Sequence, residues 1–337
     1  MRSLLEALVE TLSNLLYITL NLVFCRKLSY NSPFNRCPQL IYEHCLHFMN
    51  TVYICDLDGT LLGDNAILSS FSKKVLHELL HQGLQFTVAS ARSVVSMQVM
   101  LKGLNLRLPV IEFNGAFISD LDSGRHEIIN SICPDVVESI YKLILEFGCV
   151  PFVSSFNGTE DCAYYKDVIN DGMHWYLNDR LTSKDRRWRP IEDLTHSFCD
   201  QVVCLTVIGH AQQLLELQDA IIERHGTSTE THLMENQYSP GWYWLTIHDC
   251  KATKDQAIRT LVENYGLGAS EIVVFGDQIN DIKMFKIAAR AIAVANAAPE
   301  LKRYATLVIG SNTEDSVVKY IHQDWSNRCV LKSYSKS

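Results

Sequence analysis

Hydrophobic positions change their period along this chain, and the changes mark out its elements. Val52-Tyr53-Ile54-Cys55 is a short unbroken apolar run, the pattern of a buried strand. From Ser69 to Leu80 the apolar residues Val75, Leu76, Leu79 and Leu80 fall on one helical face, with Ser69 as a cap and Gly83 as a stop. Leu84–Ser90 reads as a second strand and Ser93–Leu104 as a second helix. Val110-Ile111-Glu112-Phe113 reads as a third strand before Asn114-Gly115. This alternation predicts a parallel, doubly wound sheet.

The pattern then changes. Phe117–Ile129, with Asp122-Ser123-Gly124 at its centre, reads as a hairpin. Asp135–Phe147 and Ala211–Arg224 have helical spacing. Val150–Tyr165 suggests two strands around Asn157-Gly158, Val202–Ile208 is another, and two further strand-like runs reach Ile247. Strands joined by hairpins, with helices among them, predict an antiparallel sheet covered by helices. From Thr253 the first pattern resumes. A helix runs to Tyr265, followed by strand Glu271–Phe275, helix Asp281–Ala288, and strands Ala291–Ala295 and Thr306–Ile309. The expected organisation is α/β. A doubly wound core over 50–130 and 241–325 is interrupted by an inserted α/β cap over 131–240, and 326–337 forms a C-terminal tail.

Residues 1–49 read as a partly helical extension. Leu4 to Phe24 is apolar but contains Glu6 and Glu10. Each acid costs about 2.5–3.5 kcal/mol at the centre of a bilayer span. The basic start and small-residue cleavage site of a signal peptide are missing. Leu4, Leu5, Leu8, Leu12, Leu15 and Leu16 recur at the spacing of an amphipathic helix. Packing on the body, contact with a membrane surface and binding of a partner all remain open for it, as does a true start at Met49.

Composition narrows the function. Of 337 residues, 47% are hydrophobic and 20% charged, which is ordinary for a globular protein of one large or two smaller domains. The formal net charge of −8 argues against a sequence-independent nucleic-acid binder. An anionic small substrate stays open, because a metal can reverse the local field. Eleven cysteines without a Cys-x-x-Cys pair point to reduced thiols and a cytoplasmic protein. A monomer or homodimer is expected.

Four short segments carry candidate chemistry. In Asp56-Leu57-Asp58-Gly59-Thr60 the two acids lie two apart at a strand end, so both can face one reaction centre. Such a pair attracts a hard divalent cation. One acid can attack phosphorus while the other moves a proton. A calcium loop of EF-hand type fails on position, since Ile67 stands where the bidentate Glu belongs. Ser90 closes a strand before a helix, where its hydroxyl and the first helical amides can cradle an oxyanion, although a helix cap is the commoner meaning. Lys254 falls in the first turn of a helix, a poor place for a cation unless an anion binds beside it. Gly276-Asp277-Gln278-Ile279-Asn280-Asp281 follows an apolar strand and reads as a metal site with outer support.

All four segments fall at the C-terminal ends of expected strands or at a helix start, where open α/β sheets bind ligands. Their order and spacing resemble the haloacid dehalogenase superfamily over about residues 50–325. The insert after the second segment, Phe113-Asn114-Gly115-Ala116 and Ala295-Asn296-Ala297 resemble its Cof-type sugar-phosphatase branch. The resemblance implies a magnesium-dependent phosphatase acting on a small phosphorylated metabolite. Asp56 would be the nucleophile and a metal ligand. Asp58 would be the general acid/base and is counted with Asp56 and Asp277 as a metal carboxylate. Leu57, through its backbone, would meet the metal or the phosphate. Ser90, Lys254 and Asn280 would hold the phosphate, and Asp281, Gly59, Thr60 and Asn114 would support them. Where relatives often carry Thr-Gly-Arg, this chain has Ser90-Ala91-Arg92. The hydroxyl is kept, but a methyl is added that bears on the loop's geometry.

Other features are set aside. Cys37, His44, Cys45 and His47 match no usual zinc spacing. Asn157-Gly158-Thr159 is read as a turn. Arg180, Lys184, Arg186, Arg187 and Arg189 are read as a solvated loop, and Trp242-Tyr243-Trp244 as packing where cap meets core. A phosphotransferase of phosphomannomutase type and a non-catalytic module that binds a phosphorylated metabolite are the competing functions.

Overall fold

The computed structural model describes residues 51–236 and 239–335. The leucine-rich stretch, its possible roles and the Cys37–His47 cluster lie outside the described residues.

The chain enters on β1 (Thr51–Cys55), whose five residues are all buried. It continues through α1 (Ser70–His81), β2 (Gln85–Val88) and α2 (Val94–Met100). The Ser69 hydroxyl accepts the Ser72 N–H, and α1 turns Leu76, Leu79 and Leu80 inward. α2 is shorter than its apolar spacing suggests, because a turn over 101–103 ends it. Then come β3 (Val110–Glu112), β4 (Phe117–Ser119) and β5 (His126–Ile129), which form an antiparallel sheet of their own. The third strand was expected in the parallel sheet, yet it meets β2 only through one bridge, Ala89 to Ile111. Pro109 has no N–H to give to a ladder. Its carbonyl instead accepts the Thr87 hydroxyl at 2.5 Å.

The insert contains α3 (Pro134–Glu146), β6 (Pro151–Phe156), β7 (Asp161–Tyr165), α4 (Asp171–Thr182), β8 (Trp188–Pro190), β9 (Gln201–Gly209), α5 (Ala211–His225), β10 (Thr229–Glu235) and β11 (Tyr243–Asp249). Its six strands are ordered β10-β11-β9-β6-β7-β8, antiparallel except between β7 and β8. α3 and α5 cover one face through Val137, Ile140, Leu214, Leu217 and Ile221. α4 covers part of the other through Met173 and Leu177, which pack on Phe152, Ile208 and Trp244.

Three expectations about the cap need adjustment. β11 pairs over seven residues with β10 and also with β9, so the chain returns to the core after Asp249 rather than at 241. Trp244 therefore packs within the cap, under α4, and not at the junction. In the basic run Lys184 and Arg186 are exposed as expected, but the other three residues are engaged. Arg187 holds Asp185, Arg189 holds Glu160, and Arg180 lies over the Tyr176 ring.

The core resumes with α6 (Lys254–Asn264), β12 (Glu271–Gly276), α7 (Ile282–Ile287), β13 (Arg290–Ala293), α8 (Pro299–Lys302), β14 (Leu307–Val308) and α9 (Ser316–Ser335). Its parallel sheet is ordered β14-β13-β12-β1-β2. The expected tail from 326 is instead the end of α9. Arg328 in that helix pairs with Glu271 and Asp324, and Asp324 also takes Arg290 and the Tyr53 hydroxyl. This network pins α9 to the N-terminal ends of β1, β12 and β13, opposite the edge that carries the acids.

Candidate active site

β1 lies between β12 and β2, so the chain runs outward from it in both directions. The crevice above such a strand is where open α/β sheets place ligands. Asp56 follows β1, and its N–H donates to the Phe275 carbonyl at 3.0 Å. The strand then exits sharply through Gly59 at φ +72°, where a Cβ would stand 2.4 Å from Asp277 Oδ2. Glycine alone fits both the backbone and the space there. The Leu57 carbonyl accepts the Leu62 N–H at 2.9 Å within this turn.

Lys254 is the first residue of α6 and is buried. Its Nζ lies 2.6 Å from Asp56 Oδ1 and 2.7 Å from Asp281 Oδ1. The other Asp281 oxygen accepts the N–H groups of Asp277 and Gln278 at 3.0 and 3.1 Å. Asp277 accepts the Thr60 hydroxyl at 2.9 Å and the Gln278 amide at 3.2 Å. Oxygens of Asp56, Asp277 and Asp281 all lie within 4.8 Å of one another. Asp58 is not in that triple, and both its oxygens accept from Arg92 at 2.6 Å. The carboxylates that the structure groups are thus Asp56, Asp277 and Asp281, where sequence reasoning had placed Asp58 in the set and left Asp281 as support.

Ser90 is buried and lies four residues before the start of α2, whose cap is Ser93. The Ser90 hydroxyl accepts the Arg92 N–H at 3.2 Å, and its carbonyl accepts the Asn114 N–H at 2.9 Å. Ala91 is exposed and has no positive φ, so its methyl brings no backbone strain. Asn280 donates to Asn114 Oδ1 at 3.1 Å, and Asn296 donates to the Gly59 carbonyl at 2.7 Å. Gly115 lets the Asn114 loop lie against the start of α6, since a Cβ there would be 2.6 Å from the Thr253 carbonyl.

Electrostatics set the site apart from the rest of the core. Burial pushes the Asp56 carboxyl well above its usual range, against the pull of Lys254. Burial and then the charge of Asp281 raise Asp277 to about 6. Burial alone would lower the Lys254 ammonium, but Asp281 and Asp56 overrule it and keep it charged. Three clustered carboxylates have one ammonium among them, paired with Asp56 and Asp281, which leaves negative charge for a divalent cation with oxygen ligands. Arg92 and Asn296 are the neighbours that sequence reasoning missed as site residues. Both lay inside quoted segments, but neither showed its partner.

Comparison with known proteins gives the family. The chain matches the family of haloacid dehalogenase-like hydrolases over residues 53–321. It is 22% identical over 277 residues to a Bacillus subtilis protein named 5-amino-6-(5-phospho-D-ribitylamino)uracil phosphatase, covering 80% of this chain and 96% of that one. It shares the fold of a haloacid dehalogenase-like hydrolase from Bacteroides thetaiotaomicron at 21% identity and a TM-score of 0.66, covering 81% and 99% of the two chains. A sugar phosphatase of HAD subclass IIB matches at 19% identity and a TM-score of 0.64, covering 81% and 98%. No described helix is long and apolar enough to cross a membrane. With its parallel core, inserted cap and buried acidic crevice, the chain belongs to the haloacid dehalogenase-like hydrolase family and is a phosphatase.

Proposed function

We propose that the site hydrolyses small phosphate monoesters, sugar phosphates or similar metabolites, through an aspartyl-phosphate on Asp56, with Mg²⁺ as cofactor. The observation that carries this reading is the Asp56 carboxylate at the end of β1, gripped by Lys254 and sharing a buried cluster with Asp277 and Asp281. Asp56, Asp277 and Asp281 would hold the cation, which supplies positive charge to the phosphoryl oxygens when bound.

The residues divide the work. The Asp56 oxygen not bonded to Lys254 attacks phosphorus in line, and the bond from phosphorus to the ester oxygen breaks. Asp58 gives that oxygen its proton, then takes a proton from the water that attacks the aspartyl-phosphate. The bond from phosphorus to Asp56 breaks and phosphate leaves. Lys254 spreads its charge over the transferring group, and the Ser90 hydroxyl and Asn280 amide orient it. Both Asp58 oxygens accept from Arg92, so proton delivery requires one of those bonds to open.

The names of the relatives support leaving groups rich in hydroxyls. A cytoplasmic setting is supported by the free thiols of Cys55, Cys133, Cys149, Cys162, Cys199, Cys204 and Cys250. The test is magnesium-dependent phosphate release from p-nitrophenyl phosphate, which Asp56→Asn should abolish. Unchanged release in that variant would overturn the mechanism. A phosphomannomutase-like enzyme would instead show isomerisation that depends on a sugar bisphosphate.

A further inference from the structure

His126 sits where the cap meets the core. It opens β5, and its side chain is 4% exposed. Its ring lies flat on Phe117 of β4, with 4.0 Å between centres and 8° between planes. Phe156 of the cap strand β6 meets the ring edge-on at 5.2 Å. The two ring nitrogens face different parts of the molecule. Nε2 is 2.7 Å from Asp161 Oδ1, at the start of cap strand β7. Nδ1 is 2.7 Å from the Ser119 hydroxyl and 3.3 Å from Glu112 Oε1, both buried in the core.

Counting donors fixes the proton state. Ser119 gives its hydroxyl proton to Glu112, so towards Nδ1 it can only accept. The carboxylates of Asp161 and Glu112 also only accept. With carboxylates on both sides, both ring nitrogens donate, and only the imidazolium does that. Burial alone would lower the group, but the hydrogen bonds and charges of Asp161 and Glu112 raise it to about 9. The next charge beside Asp161 is Arg187, which is itself bonded to Asp185.

Glu112 carries the contact onward. Its second carboxylate oxygen accepts the N–H of Val94, the first residue of α2. Just before Val94 runs the loop that holds Ser90 and Arg92, and Arg92 holds Asp58. Charged hydrogen bonds thus run without a break from a cap strand to the loop over the reaction centre. The surrounding junction is apolar, built from Ala116, Phe117, Val203 and Ala252. Three charges in such a place cost desolvation that hydrophobic packing would avoid, so stability alone does not account for them. Among the described residues one other ion pair joins cap to core, Lys283 with Glu230, and its lysine is 49% exposed.

We propose that His126 is a positioning residue for the phosphatase reaction, tying the seating of the cap, through Asp161 and Glu112, to the loop that bears Ser90 and Arg92. This rests on the roles assigned above to Ser90 and Asp58. The experiment compares wild type with Asp161→Asn and His126→Gln in two measurements. One is hydrogen exchange of the amides over 90–96. The other is kcat and KM for p-nitrophenyl phosphate across the alkaline range. In both variants loop exchange should quicken about fivefold or more, and kcat should fall by a similar factor while KM moves less. Wild-type kcat should fall as pH rises through about 9, and in Asp161→Asn that limb should move to lower pH. Folded variants with wild-type loop exchange and an unmoved alkaline limb would overturn the proposal and leave the triad a purely structural clamp. Asp56→Asn is run beside them. If it still releases phosphate the catalytic reading fails, while the exchange measurement still judges the link.

Discussion

Arg92 and Asp58 meet through two parallel hydrogen bonds of 2.6 Å, Nε to Oδ2 and a terminal amino nitrogen to Oδ1. A guanidinium fork fixes both the position and the plane of a carboxylate, which an ammonium cannot do. Arg92→Lys keeps the charge and loses that alignment. It should lower kcat by about 10- to 100-fold, as expected when a proton-transfer group is misplaced, with a smaller change in KM. Steady-state kinetics check this, and an unchanged kcat would remove Arg92 from the reaction.

Gly59 stands where no side chain fits. Its φ of +72° and the 2.4 Å approach to Asp277 act together. Gly59→Ala should cost about 1–3 kcal/mol in urea unfolding. It should lower activity further by displacing Asp277. A variant with wild-type stability and activity would show that the turn relaxes easily.

Lys254→Met should be among the most damaging substitutions to stability. It leaves Asp56 and Asp281 buried beside each other without their shared ammonium. Breaking a buried pair on one side costs about 3–5 kcal/mol. Asp281→Asn removes only one of the two carboxylates that face Lys254, so it should cost less. The ranking is readable from two denaturation curves.

Asp277 predicts how metal and pH act together. Its folded value of about 6 lies above the ordinary 3.8. Between those values the native chain holds more protons than the unfolded one. In metal-free protein its contribution to stability therefore declines as pH rises through that window, and levels off above it. A cation needs the ionised form and binds only the folded site. Mg²⁺ should thus raise Tm more at about pH 7.5 than at about pH 5. Equal shifts at both pH values, or a larger one at the lower, would contradict the carboxylate triple as a cation site.

Much of this architecture is legible in the linear pattern, and the rest fails for identifiable reasons. Val52–Cys55 and Ile272–Phe275 announce themselves because a strand covered on both faces must be apolar throughout. α4 does not, because its buried Met173 and Leu177 are mixed with the exposed Trp175 and Leu181. β8 is too short and too basic to read as a strand. β11 falls on the cap side of the boundary, which strand periodicity does not show because it says nothing about which sheet a strand joins. At the site, Asp56, Lys254 and Asp277 stood at element ends where chemistry is expected. Arg92 and His126 owe their placement to partners 34 and 35 residues away, which local patterns do not encode.

The interleaved core has a consequence for synthesis. β1 pairs on one side with β2, which follows it closely, and on the other with β12, which leaves the ribosome only after the whole cap. The ammonium that grips Asp56 comes 198 residues later. A growing chain therefore carries Asp56 beside an open strand edge for most of translation. The cap, whose six strands pair only with one another, can fold meanwhile. Asp56 meets Lys254, Asp277 and Asp281 only when the last third of the polypeptide docks, so a chain that stops before Lys254 lacks the whole cluster.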